Sequence, residues 1–210
     1  MKSRTVLVAT SNAGKVRDFA GAVAAHGVTI EQIPRFSSLP QVVEDGTTFE
    51  ENVRKKAEYY SRAMPHEVVL ADDSGLEIDA LGGAPGLHSA RYAAADPALA
   101  ASNSDDDANN ARVLRELAGI PAEKRTARFV CVLAAARDGK MLQTFRGTAE
   151  GFILETPRGD NGFGYDPLFY FPQAGKTFGE LTPEAKAQFS HRGEAFRAFL
   201  RWYRKNEQPS

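Results

Sequence analysis

The chain has 210 residues, a length that suits one large domain or two lobes that share a cleft. Its formal net charge is −1, which argues against a general nucleic-acid binder but not against a small anionic substrate. The single cysteine, Cys131, excludes a disulfide framework, and the apolar run around it favours a small buried residue over a nucleophile. No stretch is long and apolar enough to span a membrane, so we expect a cytoplasmic protein with no membrane partner.

The first part of the chain predicts strand–loop–helix units. Residues 5–9 and 28–33 are rich in β-formers and predict two strands, separated by a polar loop and a helix over residues 15–25. Thr48 and Glu51 have the spacing of a capping box, which predicts the start of the clearest helix in the chain.

The second half of the chain predicts a helix followed by an antiparallel pair of strands. The helix covers residues 108–117, and two long strands over residues 127–136 and 141–151 flank the turn Asp138-Gly139. The final helix places its aromatic residues on one side, as expected of a helix that packs against the body of the protein. This order of elements predicts a mixed α/β fold.

A polar loop joins the first strand to the first helix and carries the sequence Thr10-Ser11-Asn12-Ala13-Gly14-Lys15. Backbone N–H groups, hydroxyls and a lysine at the start of a helix are the parts of a phosphate cradle. The loop is not a Walker A motif, because Ala9 replaces the first glycine and Val16 replaces the required serine or threonine. A plain polar turn with a solvated lysine explains the same residues equally well.

An acidic pair, Asp72 and Asp73, follows a short buried strand predicted over residues 68–71. Adjacent carboxylates are costly to hold together unless a cation or hydrogen bonds stabilise them. Their hard oxygen atoms suit Mg²⁺, which takes few protein ligands and shares the phosphates of its substrate. The plain alternative is an Asx-turn that ends the strand.

A second acidic segment, Glu44-Asp45, precedes the helix that carries Asn52 and Lys56. These two residues are four apart and therefore face the same side of the helix. Lys56 lies next to the apolar stripe of that helix, so it either points into a cleft or is a surface lysine whose ammonium group reaches solvent.

The glycine-rich segment over residues 159–167 is a further candidate. Glycines on both sides of Phe163 let the backbone approach a flat ligand, and the aromatic ring is available to stack on a base. The plain alternative is a tight turn in which Phe163 and Tyr165 are both buried. Further along, Lys186 and residues 190–193 place hydrogen-bond donors at a helix break.

Six motifs follow one another along the chain: Ala9–Lys15, Thr48–Asn52, Ala71–Leu76, Gly82–Gly86 with Ser89–Tyr92, Gly162–Pro167 and Ser190–Gly193. In this order they resemble the Ham1-like inosine/xanthosine triphosphate pyrophosphatase family. The similarity covers nearly the whole chain, and six ordered motifs argue strongly against a chance match. One small departure is Ser11, which stands where the family often has glycine.

The resemblance implies a single domain over residues 1–210 with an elongated mixed α/β fold, in which two lobes surround a central substrate cleft. It also implies a homodimer. The implied activity is Mg²⁺-dependent hydrolysis of the purine nucleoside triphosphates ITP, dITP or XTP to the monophosphate and pyrophosphate, which removes deaminated purines from the nucleotide pool.

The resemblance implies roles for individual residues as well. The phosphates would be held by Lys56 and by Thr10, Ser11, Asn12, Ala13, Gly14 and Lys15. Mg²⁺ would be bound by Glu44 and Asp73, and Asp73 would also act as general base on the attacking water. The substrate would further be contacted by Ser74, with its base and sugar region bound by Phe163, Gly164, Tyr165 and Asp166. Purine recognition would be completed by Lys186, His191 and Arg192.

Other functions stay open from the residues alone. The nearest is a pyrophosphatase that acts on other modified nucleotides, such as methylated pyrimidine triphosphates. A catalytically silent nucleotide sensor is another, although a pure binder has little need of a carboxylate that activates water. A structural interaction protein fits least, because glycines and polar loops converge where a plain scaffold needs none.

Overall fold

The computed structural model describes residues 4–207 except residues 13, 17, 20–27 and 96–104. The strands among these residues are β1 Arg4–Val8, β2 Val28–Gln32, β3 Val69–Ile78, β4 Thr126–Arg137, β5 Lys140–Ile153, β6 Phe169–Phe171 and β7 Lys176–Thr177. The longer helices in this part of the chain are α1 Phe49–Ser61, α2 Asp106–Glu116, α3 Pro183–Phe189 and α4 His191–Asn206. Strands and helices are therefore mixed, and the predicted mixed α/β class is confirmed.

The strands form one sheet with the order β2-β1-β3-β4-β5-β6-β7. β1 lies parallel to β2 and to β3, while β6 runs antiparallel to both β5 and β7. Val8, the last residue of β1, lies opposite Leu70 of β3. Because parallel neighbours run in the same direction, the residues that follow Val8 leave the sheet beside the residues that follow Leu70.

The predicted hairpin is confirmed as the pair β4 and β5. The two residues of its turn, Asp138 and Gly139, have φ values of 50° and 76°, which is the backbone conformation of a type I′ turn. Gly139 N donates a hydrogen bond to Ser61 Oγ at 3.0 Å, so this turn is tied to the end of α1.

Helix α1 begins where its cap was predicted. Glu51 N donates to Thr48 Oγ1 at 3.1 Å, which satisfies one of the free N–H groups of the first turn. The Glu51 carboxylate accepts from Thr47 N at 2.7 Å and from Thr47 Oγ1 at 3.0 Å. The side chains of Thr48 and Glu51 therefore fix both the first turn of α1 and Thr47, which precedes the helix.

Strand β3 is longer than the sequence predicts. We expected its end at Ala71, but it continues to Ile78, so the acidic pair lies inside a strand. The Asx-turn interpretation is therefore wrong. Leu76 and Ile78 beyond the pair are fully buried, and their burial favours continuing the strand. Gly75 allows a close approach there, because a Cβ atom at this position would lie 2.3 Å from a backbone oxygen.

By its internal contacts the chain divides into two compact units. The first unit consists of Met1–Asp73, Cys131–Gly147 and Ala187–Ser210, and the second of Ser74–Val130 and Thr148–Lys186. The single domain over residues 1–210 and the cleft between two lobes stay predictions.

The core of the first unit packs strand side chains against helix α4. Its members include Val6, Leu70, Leu133, Phe196, Phe199 and Tyr203. The prediction that the aromatic side of the final helix packs inward is confirmed. Cys131 lies in the same core, where burial raises the pKa of its thiol to about 12, so it is the small buried residue that we expected.

The core of the second unit is rich in aromatic rings. The ring centroids of Phe129 and Phe169 lie 4.6 Å apart, and Phe178 stacks on Phe129 at 5.8 Å. Tyr165 belongs to the same cluster. The glycine-rich segment is therefore attached to a packed core at this residue.

The helix predicted over residues 15–25 falls partly outside the described residues. Residues 14–16 and 18–19 are helical, whereas residues 13, 17 and 20–27 are outside the description, and with them Ala13 of the predicted phosphate loop. In the part of the chain that the structure describes, no helix is long and apolar enough to cross a membrane.

Candidate active site

The loop after β1 is held by the side chain of Asn12. Asn12 Oδ1 accepts hydrogen bonds from Gly14 N at 2.8 Å and from Lys15 N at 3.2 Å. Asn12 N in turn donates to the buried Thr10 Oγ1 at 3.2 Å, while Ser11 and Asn12 themselves are exposed. Asn12 thus caps the helical residues that follow, which orients the backbone around Lys15.

Lys15 is paired with a buried carboxylate. Its Nζ lies 2.7 Å from Asp72 Oδ2, and the Asp72 side chain is 1 % exposed. The interpretation of Lys15 as a solvated lysine is therefore wrong. The parallel register of β1 and β3 explains the contact, because it places the loop after β1 beside the residues that follow Leu70.

Lys56 comes to the same acidic pair from helix α1. Its Nζ donates to Asp72 O at 2.7 Å and lies 3.4 Å from Glu44 Oε1. The side chain is 12 % exposed, so the alternative of a surface lysine is wrong. Burial opposes its charge, but the carboxylates of Asp72, Glu44 and Asp73 outweigh burial and raise the pKa of Lys56.

Asp72 was considered from the sequence only as a member of an acidic pair that suits Mg²⁺, and the structure gives it a different role. Burial alone would raise the pKa of this carboxyl group. The positive charges on Lys15, Lys56 and Arg192 outweigh burial and hold the pKa of Asp72 below its ordinary value. An ionised Asp72 therefore fixes Lys15 through its side chain, while its backbone oxygen fixes Lys56.

Asp73 has the opposite electrostatic environment. Burial, together with the negative charges of Glu44 and Asp72, raises its pKa to about 6 against the opposing effect of the two lysines. A carboxyl group with this pKa is mostly ionised at neutral pH and close enough to that pH to accept a proton effectively.

Asn52 is a residue that the sequence reasoning left without a role. It is buried on α1, where its Nδ2 donates to Asp73 Oδ2 at 3.3 Å and its Oδ1 accepts from Gly46 N at 2.8 Å. It therefore connects Asp73 with the segment that follows Glu44. The available signal was the four-residue spacing of Asn52 and Lys56, together with a polar side chain beside an apolar stripe.

The predicted helix break lies between α3 and α4, where Ser190 caps α4. His191 and Arg192 in the first turn of α4 are buried. Arg192 Nη1 lies 3.1 Å from Asp18 Oδ2, and the charge of Arg192 also acts on Asp72. Arg192 therefore lies in the first unit with the lysines and the acidic pair.

In the second unit, the glycine-rich segment is organised around Asp166. Asp166 Oδ2 accepts hydrogen bonds from Phe163 N at 2.8 Å and from Lys186 Nζ at 2.5 Å. The side chains of Asp166 and Lys186 are both buried. Lys186 Nζ also lies 4.9 Å from the centroid of the Phe163 ring. Tyr165 is buried but Phe163 is half-buried, so the interpretation of two buried aromatic rings is wrong for Phe163.

The predicted site residues thus fall into two groups. The described members in the first unit are Thr10, Ser11, Asn12, Gly14, Lys15, Glu44, Lys56, Asp73, His191 and Arg192. Those in the second unit are the half-buried Ser74 and Phe163, Gly164, Tyr165, Asp166 and Lys186. Lys186, which we predicted to act with His191 and Arg192, belongs to a different unit from that pair.

The carboxylates of the first group suit a magnesium ion. Within the described residues, no group of three or more His, Cys, Asp or Glu side chains is placed to hold a metal. Mg²⁺ needs fewer, since it usually binds one or two carboxylates together with water and substrate phosphates. Glu44 and Asp73 are two such carboxylates, and the charge of Glu44 acts on Asp73. The donor set therefore fits Mg²⁺.

These features agree with what comparison with known families finds. The model of the Ham1 family matches residues 6–202. The chain belongs to the Ham1 family. The predicted family resemblance is thereby confirmed over almost the whole length of the sequence.

Relatives of this Ham1-family chain include two proteins named dITP/XTP pyrophosphatase. The protein from Geobacillus kaustophilus is 50% identical over 192 residues, which cover 91% of this chain and 90% of that protein. The protein from Syntrophobacter fumaroxidans is 48% identical over 195 residues, which cover 93% and 80%, respectively.

Solved structures support the fold of this Ham1-family chain. The structure of the Staphylococcus aureus Ham1 protein aligns with a TM-score of 0.81 at 36% identity, covering 98% of this chain and 100% of that one. A HAM1 protein from Coxiella burnetii aligns with a TM-score of 0.80 at 34% identity, covering 96% and 99%. The fold of the chain is therefore that of the family.

Proposed function

We propose that this protein hydrolyses non-standard purine nucleoside triphosphates, ITP, dITP and XTP, to the monophosphate and pyrophosphate. One observation carries the proposal: in a Ham1-family chain, a carboxyl group with a pKa raised to about 6, Asp73, lies in one electrostatic cluster with Lys15 and Lys56. Two cations attract a polyphosphate, and the carboxylate provides a base for water. A catalytically silent sensor has no use for such a base.

The lysines of the first unit bind the phosphates in this proposal. Asp72 holds the Lys15 ammonium group at 2.7 Å, so it is oriented before the substrate binds. Groups that are oriented in advance stabilise the charge that develops on the phosphates at little reorganisation cost. We assign further phosphate contacts to Thr10, Ser11, Asn12, Ala13 and Gly14, which precede Lys15 in the sequence, and Lys56 adds the second positive charge.

Asp73 acts as the general base. Its carboxylate accepts a proton from the attacking water, whose oxygen bonds to the α-phosphorus while the bond between that phosphorus and the bridging oxygen to the β-phosphate breaks. Pyrophosphate leaves, and the nucleoside monophosphate remains. The hydrogen bond from Asn52 Nδ2, at 3.3 Å, orients the carboxylate for this transfer.

Glu44 and Asp73 would hold Mg²⁺. When bound, the ion neutralises negative charge on the polyphosphate. Lys56 keeps its own charge because the surrounding carboxylates raise its pKa.

The residues of the second unit bind the base and sugar. Phe163 is half-buried and thus keeps part of its ring available for stacking on a purine. Asp166 holds Lys186 and the Phe163 backbone in place, and Ser74, Gly164 and Tyr165 complete this group. In the first unit, His191 and Arg192 are suitable hydrogen-bond donors to the keto oxygen of a 6-keto purine. A site with such donors rejects adenine, because the 6-amino group of adenine cannot accept these hydrogen bonds.

We also propose that the protein is a homodimer, as the family resemblance implies, and that it is located in the cytoplasm. Light scattering coupled to size-exclusion chromatography measures the molar mass directly. A mass of twice 22.8 kDa is the expected result, and a mass of 22.8 kDa would refute the dimer.

Pyrophosphate release tests the proposed activity. The purified protein is incubated with ITP, dITP, XTP, ATP, GTP and a methylated pyrimidine triphosphate, each with Mg²⁺ or with a chelator. We expect fast release from the deaminated purine nucleotides only, and only with Mg²⁺. Faster release from the methylated pyrimidine would support the alternative enzyme, and binding without release from any nucleotide would support the sensor.

A further inference from the structure

Gly164 lies between the two aromatic residues of the glycine-rich segment and has a left-handed backbone, with φ at 62°. Glycine adopts this conformation without the steric penalty that other residues meet. The same freedom means that glycine alone does not hold the conformation, so neighbouring groups must fix it. Those groups determine the direction in which Phe163 leaves the backbone.

Two side chains of helix α2 fix both polar groups of Gly164. Gly164 N donates to Asp106 Oδ2 at 2.6 Å, and Asn110 Nδ2 donates to Gly164 O at 3.1 Å. Asp106 and Asn110 are four residues apart and therefore lie on the same face of the helix. Helix α2 therefore holds both the backbone N–H group and the backbone carbonyl oxygen of Gly164.

The residues on either side of Gly164 are fixed in different ways. Tyr165 OH donates to Ser89 O at 2.8 Å, and its ring is buried in the core. Phe163 has its backbone N–H bound to Asp166 and its ring half-exposed. With Tyr165 anchored, a rotation of the Gly164 backbone would change the position of Phe163.

Helix α2 is itself firmly attached to the second unit. Asn109 Oδ1 accepts from Ala93 N at 2.7 Å, and Arg112 Nη1 donates to Tyr92 O at 2.5 Å. The Arg112 guanidinium group also lies 4.0 Å from the centroid of the Tyr92 ring. These contacts keep α2 in place, so Asp106 and Asn110 are suited to set the geometry of another segment.

We infer that Asp106 and Asn110 are positioning residues for base recognition: they hold Gly164 so that the Phe163 ring is oriented to stack on the purine. This inference rests on the proposed function, in which Phe163 contacts the base. The two side chains act through the backbone and do not themselves touch the substrate. Their loss therefore weakens binding of the base and leaves binding of the phosphates unchanged.

The test compares a ligand that carries the base with one that lacks it. Calorimetry in the presence of Mg²⁺ gives the Kd of inosine monophosphate and the Kd of pyrophosphate for the parent protein and for Asp106→Ala, Asp106→Asn and Asn110→Ala. Asp107→Asn is the matched control, because Asp107 is an exposed acidic residue on the same helix. Thermal unfolding of each variant shows whether the fold is retained.

We expect Asp106→Ala and Asn110→Ala each to raise the Kd of inosine monophosphate about tenfold, because each variant loses one partly buried hydrogen bond to Gly164. The Kd of pyrophosphate should stay within about twofold, since the phosphate residues are untouched. Asp106→Asn should restore most of the affinity, because its amide oxygen still accepts from Gly164 N. Asp107→Asn should behave like the parent protein.

An equal rise in both dissociation constants, or no rise in either, would overturn the inference. If Asp106→Ala does not fold, Asn110→Ala still tests the other side of Gly164. A parent protein that releases no pyrophosphate from any nucleotide would refute the proposed activity, but the comparison of dissociation constants does not depend on turnover. Failure of the activity and failure of the inference are therefore separate results.

Discussion

Asp73 combines a chemical role with a cost in stability. Burial and the nearby carboxylates keep its pKa at about 6, whereas the ordinary value is 3.8. At neutral pH the folded protein therefore holds a negative charge that would be more stable in the unfolded chain. The surrounding lysines reduce this cost but do not remove it.

Asp73→Asn should lower the turnover number for ITP by a factor on the order of 10² or more, because a general base is lost. The same variant, in metal-free buffer at pH 8, should be more stable than the parent protein by on the order of 3 kcal/mol, because it lacks the buried negative charge of Asp73. Activity is measured as pyrophosphate release, and the free energy of unfolding by urea titration.

The sign of the pH dependence follows from the raised pKa. At low pH Asp73 is protonated in the folded and unfolded states, so it carries no penalty. The penalty grows as the pH rises through the window from 3.8 to about 6, and the advantage of the variant should grow with it. Asp160→Asn at an exposed position is the control. Near-normal turnover in Asp73→Asn would contradict the catalytic assignment.

Asn52→Ala should lower the turnover number for ITP about tenfold with little change in KM, since a base that is poorly oriented slows the chemical step more than it weakens binding. The variant loses the hydrogen bond to Asp73 and the bond from Gly46 N. Arg54→Ala is the control, because Arg54 lies on the same helix with its side chain 65% exposed. A rise in KM at unchanged turnover would show that Asn52 serves binding instead.

Among the secondary-structure elements, β5 and α4 approach each other closely at Gly147. A Cβ atom on Gly147 of β5 would lie 2.2 Å from His191 O and 2.6 Å from Ala195 N, both backbone atoms of α4. Backbone atoms of a helix cannot move aside individually as the end of a flexible side chain can. The absence of a side chain at Gly147 therefore sets the position of the first turn of α4, which carries Arg192.

Gly147→Ala should lower the free energy of unfolding by about 1–3 kcal/mol, the usual range for overpacking in a well-packed interior. The comparison variant is Thr144→Ala, at an exposed position on the same strand, which should change stability by less than about 0.5 kcal/mol. Both values come from urea unfolding. If both substitutions changed the free energy of unfolding equally, the first turn of α4 would be able to move away from the new methyl group without loss of stability.

On the scale of the whole molecule, the candidate residues for phosphate and the candidate aromatic ring for stacking on the base belong to different compact units. Lys15, Lys56 and Asp73 are in the first unit, and Phe163 and Lys186 are in the second. Each group has its own supporting contacts, which are the acidic pair in the first unit and Asp166 in the second. Substitutions in one group should therefore affect one part of the substrate.

Lys56→Met should raise the Kd of pyrophosphate at least tenfold and leave the Kd of the nucleoside inosine nearly unchanged, because a charge-assisted contact to phosphate is lost. Phe163→Leu should show the reverse pattern, with the Kd of inosine raised about tenfold because a stacking surface is lost. Calorimetry with Mg²⁺ present measures both constants. If each variant raised the Kd of pyrophosphate and the Kd of inosine by the same factor, the division into two groups would be contradicted.

The sequence by itself determined the features that depend on neighbouring residues. Spacing of Thr48 and Glu51 located the start of α1, and Asp138-Gly139 located the hairpin, since caps and two-residue turns are formed by local contacts. The six ordered motifs were enough to indicate the family. They were also enough to name candidate residues, because the identity of a motif is carried by the residues themselves.

Only the tertiary structure decided how these residues act on one another. Nothing local shows that β3 continues past Ala71, because that depends on the burial of Leu76 and Ile78. The roles of Asp72, Asn52 and Asp106 follow from partners far away in the sequence. Hydrogen bonds and charge effects depend on distances in space and on burial, and both are set only when the sheet and helices have packed together.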